Sequence, residues 1–137
     1  MNVLLIWPFN LQAVEIPELF PLGLGYILAN LDHHRYNARI LDCTLEGIQP
    51  ESARFKKEIK DFDPQVVGLS FWSSNAESVY RTSKTIRDVL PKSKIVYGGP
   101  HATAYGAFES EKKHADFVLS GEAEKSFGTI TQKKATV

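Results

Sequence analysis

A three-layer α/β fold around a five-stranded parallel sheet is what this sequence predicts. Three observations predict it. Apolar runs short enough to be strands recur along the whole 137 residues. Between them lie segments whose apolar residues repeat at helical spacing. Proline, glycine and short polar clusters punctuate the junctions. Alternation of this kind forces parallel strands joined by right-handed crossovers, with helices covering both faces of the sheet.

NVLLIWPF (2–9) is a continuous apolar run closed by Pro8, the pattern of a strand buried on both faces. A largely apolar loop follows, NLQAVEIPELFP, with Leu11, Ala13, Val14, Ile16, Leu19 and Phe20. LGLGYILANLDHH (22–34) then places Leu24, Ile27, Leu28 and Leu31 on one helical face. ARILDCT (38–44) reads as the second strand, with Asp42 and Cys43 at its end. SARFKKEIKDF (52–62) gathers Phe55, Ile59 and Phe62 on one side, and Asp63-Pro64 stops it, because a residue before proline is pushed out of the helical region.

QVVGLSFW (65–72) is the third strand. Asn75 or a neighbouring serine is positioned to cap helix 76–90, Glu77 suits its positive end, and Pro91 closes it. KIVYGG (94–99), a weaker helix at 102–114 and DFVLSG (116–121) complete the alternation. Ala123, Phe127 and Ile130 begin one further helical pattern, which Gly128 and the threonines weaken.

Five strands in this length fit the flavodoxin-like (Rossmann-like) order 2-1-3-4-5. In that order ligands lie at the carboxyl ends of the strands, beside the switch between strands 1 and 3. The candidate site is therefore Pro8, Asn10, Ser70, Trp72, Ser73, Gly98, Gly99, Pro100, His101, Gly121 and Glu122.

Charge excludes some occupants. Sixteen basic residues balance sixteen acidic ones, so no general field draws nucleic acid or an anionic membrane. With no apolar run of membrane-spanning length and no leader pattern, a soluble, cytoplasmic chain is expected. A single cysteine rules out an intrachain disulfide and a thiolate metal cluster within the chain.

Motifs exclude others. A phosphoacceptor site needs acids after strand 1 and an aspartate ending strand 3, where Trp7-Pro8-Phe9-Asn10 and Ser70-Phe71-Trp72 stand. A dinucleotide fingerprint needs three spaced glycines at the first turn, and only Gly23-x-Gly25 is present, well downstream. The first loop also lacks the Ser, Thr and Gly of a flavin phosphate loop. What remains suits a large, mostly uncharged ligand, covered by the apolar loop and approached closely by a glycine pair.

PLGLGYILANL, ILDCTLEG, FDPQVVGLSFWSSN, IVYGGPHATA and ADFVLSGEAEKSF occur here in that order. Together they resemble the N-terminal cobalamin-binding domain of cobalamin-dependent radical SAM enzymes. That group includes the anaerobic magnesium-protoporphyrin ester cyclase type and many methyltransferases. The resemblance runs over residues 1–127 and leaves 128–137 as a tail; Ala123 stands where the family carries a glycine.

The resemblance implies that this domain holds cobalamin. A following radical SAM domain, absent here, would carry S-adenosylmethionine, a [4Fe–4S] cluster on C-x-x-x-C-x-x-C, and the methyl-transfer or radical oxidoreductase chemistry. Many cobalamin modules ligate cobalt through D-x-H-x-x-G in the first loop, but Asn10 to Pro21 contains no histidine. The resemblance therefore implies a base-off cofactor with no protein histidine on cobalt, its tail threading toward Ser70 and Gly98-Gly99. A vacated domain interface also implies possible self-association.

Each candidate has a second reading. Gly98-Gly99 serves a tight turn alone or a ligand as well. His101 bonds a ligand, caps the next helix or ligates a metal, while Ser70 and Ser73 bond a ligand or satisfy strand-end amides. Trp7 and Trp72 are core or cofactor wall, and Glu122 is a ligand contact or a first-turn acid. His33-His34 read as structural and Cys43 as a small buried hydrophobe. The alternative for the whole chain is a non-catalytic flavodoxin-like domain that binds another ligand or a partner protein.

Overall fold

The computed structural model describes residues 1–10, 22–121 and 127–129. The expectations for the first loop (11–21), and for Glu122, Ala123 and Ile130, lie outside them. Strand β1 spans Asn2–Trp7, helix α1 Leu22–Asn30, β2 Asn37–Asp42, the short α2 Cys43–Glu46, and α3 Ala53–Phe62. Strand β3 (Val66–Ser70) leads through a 3-10 turn (Ser73–Asn75) into α4 (Ala76–Val89). Strand β4 (Lys94–Gly98), α5 (Pro100–Lys112) and β5 (Phe117–Val118) follow, and residues 127–129 are helical.

The sheet order is β2-β1-β3-β4-β5, with parallel pairing throughout. This is the predicted order, and β1 beside β3 is the switch point. Period-two alternation splits the core. Leu4, Ile6, Val67, Leu69, Ile95 and Tyr97 face the side covered by α3, α4 and α5, while Val3, Leu5, Val66 and Val96 meet α1 and Phe127.

Local chemistry moved several boundaries. The second strand ends at Asp42 rather than Thr44, because Asp42 Oδ1 accepts from Leu45 N at 2.9 Å and turns Cys43 into a helix. The first helix stops at Asn30, not His34, where Asp32 O accepts the amides of Arg35 and Tyr36 and its carboxylate takes His34 N. Helix α5 begins earlier than expected, at Pro100, a position where the missing N–H costs nothing. The fifth strand keeps only Phe117 and Val118 of the predicted 116–121.

Asn75 precedes α4 as expected but does not cap it. Its side chain instead accepts from Trp72 N and donates to Ser70 O, bracing the end of β3. Ser52 does cap: its Oγ accepts from Phe55 N at 3.1 Å at the start of α3. Ser52→Ala is expected to cost about 1 kcal/mol, measured as a lower urea midpoint with an unchanged m-value.

Candidate functional site

Backbone hydrogen bonds bring the ends of β3 and β4 together. Ser70 pairs with Gly98, Phe71 N donates to Gly98 O at 2.7 Å, and His101 N donates to Phe71 O at 3.0 Å. The intervening Gly99 sits at φ +104°, ψ −174°, a conformation essentially reserved for glycine. A Cβ built there would lie 3.0 Å from Phe71 O and 3.2 Å from Phe71 N. Gly99 is therefore glycine because two strand ends are laid against each other.

Thr103 ties this turn to the next. Its amide and hydroxyl both donate to Gly99 O at 3.0 Å, and its Oγ1 accepts from Gly121 N at 2.9 Å. The glycine turns after β4 and β5 are thus stapled through one threonine.

Between these turns and α1 lies a cavity of about 150 Å³. Its rim is Ser70, Gly98, Gly99 and Gly121, four of the residues singled out from sequence. Its walls are apolar, from Leu24 and Ile27 of α1, Leu5 of β1 and the ring of Phe127. The Ser70 hydroxyl has no partner among the described residues. Gly68, two residues before Ser70 on the same strand face, approaches the Phe127 ring closely, and a Cβ there would sit 2.9 Å from Cε2.

The other candidates lie outside the cavity. Trp72, just past the end of β3, is 43% exposed and edge-on to Trp7 with ring centroids 6.0 Å apart. Pro8 is buried, its carbonyl accepting from Thr44 Oγ1, and Asn10 N donates to the same hydroxyl. Asn10 faces a groove with Ser74, Ser78 and Arg81 instead. Glu122 lies outside the described residues.

His101 is held on both nitrogens. Nδ1 lies 2.8 Å from Ser73 Oγ and Nε2 2.8 Å from Glu109 Oε1, with the ring stacked on Phe71 at 4.1 Å and 11°. Among the described residues it thus has no nitrogen left for a metal or a ligand. Glu109 also accepts from Tyr80 OH at 2.6 Å, and Lys112 Nζ donates to that hydroxyl.

Burial opposes ionisation of Glu109, but the Tyr80 and His101 hydrogen bonds and the nearby Lys112 charge outweigh it. Its carboxyl is held below the usual 4.5. A depressed carboxyl contributes stability above its unfolded value and loses it as pH falls through the lower, folded one. Unfolding free energy should therefore drop below about pH 4.5, and Glu109→Gln should flatten that acid limb in a pH series of denaturant melts.

Cys43 offers no reactive thiolate: burial, with Asp42 and Glu46 beside it, pushes its thiol up to about 12. Among the described residues no group of three His, Cys, Asp or Glu is placed to hold a metal ion. No described helix is long and apolar enough to cross a membrane.

A family model described as B12 binding domain matches residues 17–131. The chain belongs to the B12-binding domain family. Its similarity to curated proteins points to methyltransferases. The cytidylyl-2-hydroxyethylphosphonate methyltransferase of Streptomyces wedmorensis is 34% identical over 144 residues, covering 92% of this chain and 27% of the relative. The uncharacterized methyltransferase PH0819 of Pyrococcus horikoshii is 32% identical over 131 residues, covering 93% and 28%. The B12-binding domain thus spans little more than a quarter of these relatives' length.

Sequence reasoning missed Gly68, Leu24, Ile27, Leu119 and Phe127 as cavity-lining residues, and Thr103 as the link between its two glycine turns. Period-two spacing from Ser70 could have found Gly68. Thr103 carries no local signal, because its partner Gly121 is distant in the chain.

Proposed function

We propose that this domain holds cobalamin in a base-off form at the strand-end crevice and serves a methyltransferase whose catalytic chemistry lies in a radical SAM domain. The observation that carries the reading is the cavity rimmed by Ser70, Gly98, Gly99 and Gly121 at the β1/β3 switch point. It fits a cofactor tail on three counts. A space of about 150 Å³ takes one small aromatic ring. Its walls are apolar, and the Ser70 hydroxyl stands at its rim without a partner among the described residues. Gly98 and Gly121 bring bare backbone, with no side chain, to its rim.

The absence of a protein histidine on cobalt in this reading is supported by where the four histidines sit. His33 and His34 precede β2, at the opposite edge of the sheet, and His114 packs on Tyr80 beyond α5. His101 is committed on both nitrogens. When bound, cobalamin supplies the carrier of the transferred methyl group. The chain's own part is to enclose the tail, to exclude water with Leu5, Leu24, Ile27 and Phe127, and to offer the exposed Trp72 ring beyond the end of β3.

Incubation with hydroxocobalamin, desalting and a visible spectrum test this reading. Retained absorbance with a base-off spectrum is the expected result. Complete loss of colour on the column would favour a domain that binds some other ligand or a partner protein.

A further inference from the structure

The hydrogen bonds around His101 are one-directional, and they set the polarity of the exposed turn that follows β3. The Glu109 side chain is fully buried, and Oε1 accepts from both Tyr80 OH and His101 Nε2. An ionised carboxylate has no proton to give, so the hydrogen on this contact belongs to Nε2. A neutral imidazole carries one N–H, which leaves Nδ1 as a bare acceptor. Ser73 Oγ, 2.8 Å away, then donates to it. Its hydroxyl proton points into the protein and its remaining lone pairs point out, where Ser73 is exposed.

No other group competes for Nδ1 among the described residues. His101 is faced by Phe71 from the end of β3, by Ser73 from the 3-10 turn, and by Tyr105 and Glu109 from its own helix. Tyr80 of α4 and Lys112 stand behind Glu109 and bond to each other. The stack on Phe71 holds the ring in plane, and a half-turn within that plane would put carbons where the two nitrogens stand and break both hydrogen bonds.

We propose that Ser73 presents a hydrogen-bond acceptor to a ligand seated over the carboxyl ends of the strands, just past the end of β3, and that His101 and Glu109 are the positioning residues that fix this polarity. The group it takes is a donor, such as a primary carboxamide N–H. A carboxylate or phosphate oxygen finds no proton there. Naming a corrin carboxamide as that group rests on the cobalamin reading above; the polarity of Ser73 does not.

Two measurements test this. With 15N-labelled histidine at pH 8, long-range nitrogen–proton correlation should show a protonated, pyrrole-type Nε2 and a bare, pyridine-type Nδ1 for His101. Glu109→Gln should mix the two tautomers. An Nδ1–H tautomer or an imidazolium in the wild type overturns the proposal.

The second measurement compares affinity for hydroxocobalamin with that for its monocarboxylic acids, in which one carboxamide is hydrolysed. One isomer should bind the wild type about tenfold more weakly than the amide, the scale of one hydrogen bond, and Ser73→Ala should abolish that difference. No discrimination by the wild type, or discrimination that survives Ser73→Ala, overturns it. A wild type that binds neither probe defeats the cobalamin reading and the assigned carboxamide together, while the nitrogen shifts still decide the polarity of Ser73.

Discussion

Gly99→Ala is expected to lower the unfolding free energy by about 4 kcal/mol, combining the strain of a glycine-only conformation with overpacking. The residue adopts φ +104°, and a Cβ there meets the backbone of Phe71 rather than a side chain that can swing away. Phe71 cannot retreat, because its N–H is bonded to Gly98 O and its carbonyl accepts from His101 N. Relief therefore means parting β3 from β4 at the cavity rim, so ligand retention should fall with stability. Gly121 gives the contrast. It also has positive φ (+75°) but, among the described residues, nothing within 4 Å of a built Cβ, so Gly121→Asn should be nearly neutral. Parallel urea melts of the two variants separate conformational strain from collision.

Phe127→Ala should cost about 3 kcal/mol, the lower end for removing a buried phenylalanine ring. Phe127 is buried in the cluster of Val3, Leu5, Leu24 and Ile27, and its ring closes the cavity floor against Gly68. The variant should enlarge the cavity, loosening any ring bound there. It should also relieve its neighbour. Gly68→Ala alone forces Cβ to 2.9 Å from Phe127 Cε2, so its cost should shrink once the ring is gone. A double-mutant cycle reads this directly, and purely additive costs would show that ring and glycine do not meet.

Much of the fold was legible because its signals are local. Apolar strand runs, helical spacing and proline stops depend on neighbours along the chain, and all five strands were read from them; their order came from fitting five alternating strands to the flavodoxin-like arrangement. The boundaries that moved were set by competing side chains: Asp42 capping a helix where a strand was expected, and Asp32 folding the end of α1 into a turn.

The site was only half legible. Ser70, Gly98, Gly99 and Gly121 followed from the rule that parallel sheets bind ligands at strand ends, and the structure brings them to one cavity. The fate of His101 could not be read, since its partners Ser73 and Glu109 are joined to it only by packing α5 against the end of β3. Phe127 was visible as a helical apolar residue, but its role under Gly68 needs the third dimension.

The most direct test of the central claim is amide shift mapping of 15N-labelled protein titrated with hydroxocobalamin. Perturbations should concentrate at Ser70, Gly98, Gly99, Leu119 and Gly121, with Phe127 moving too. Shifts gathered instead at the opposite edge, around His33 to Ala38, or along the outer faces of α3 and α4, would contradict a ligand seated at the strand-end crevice.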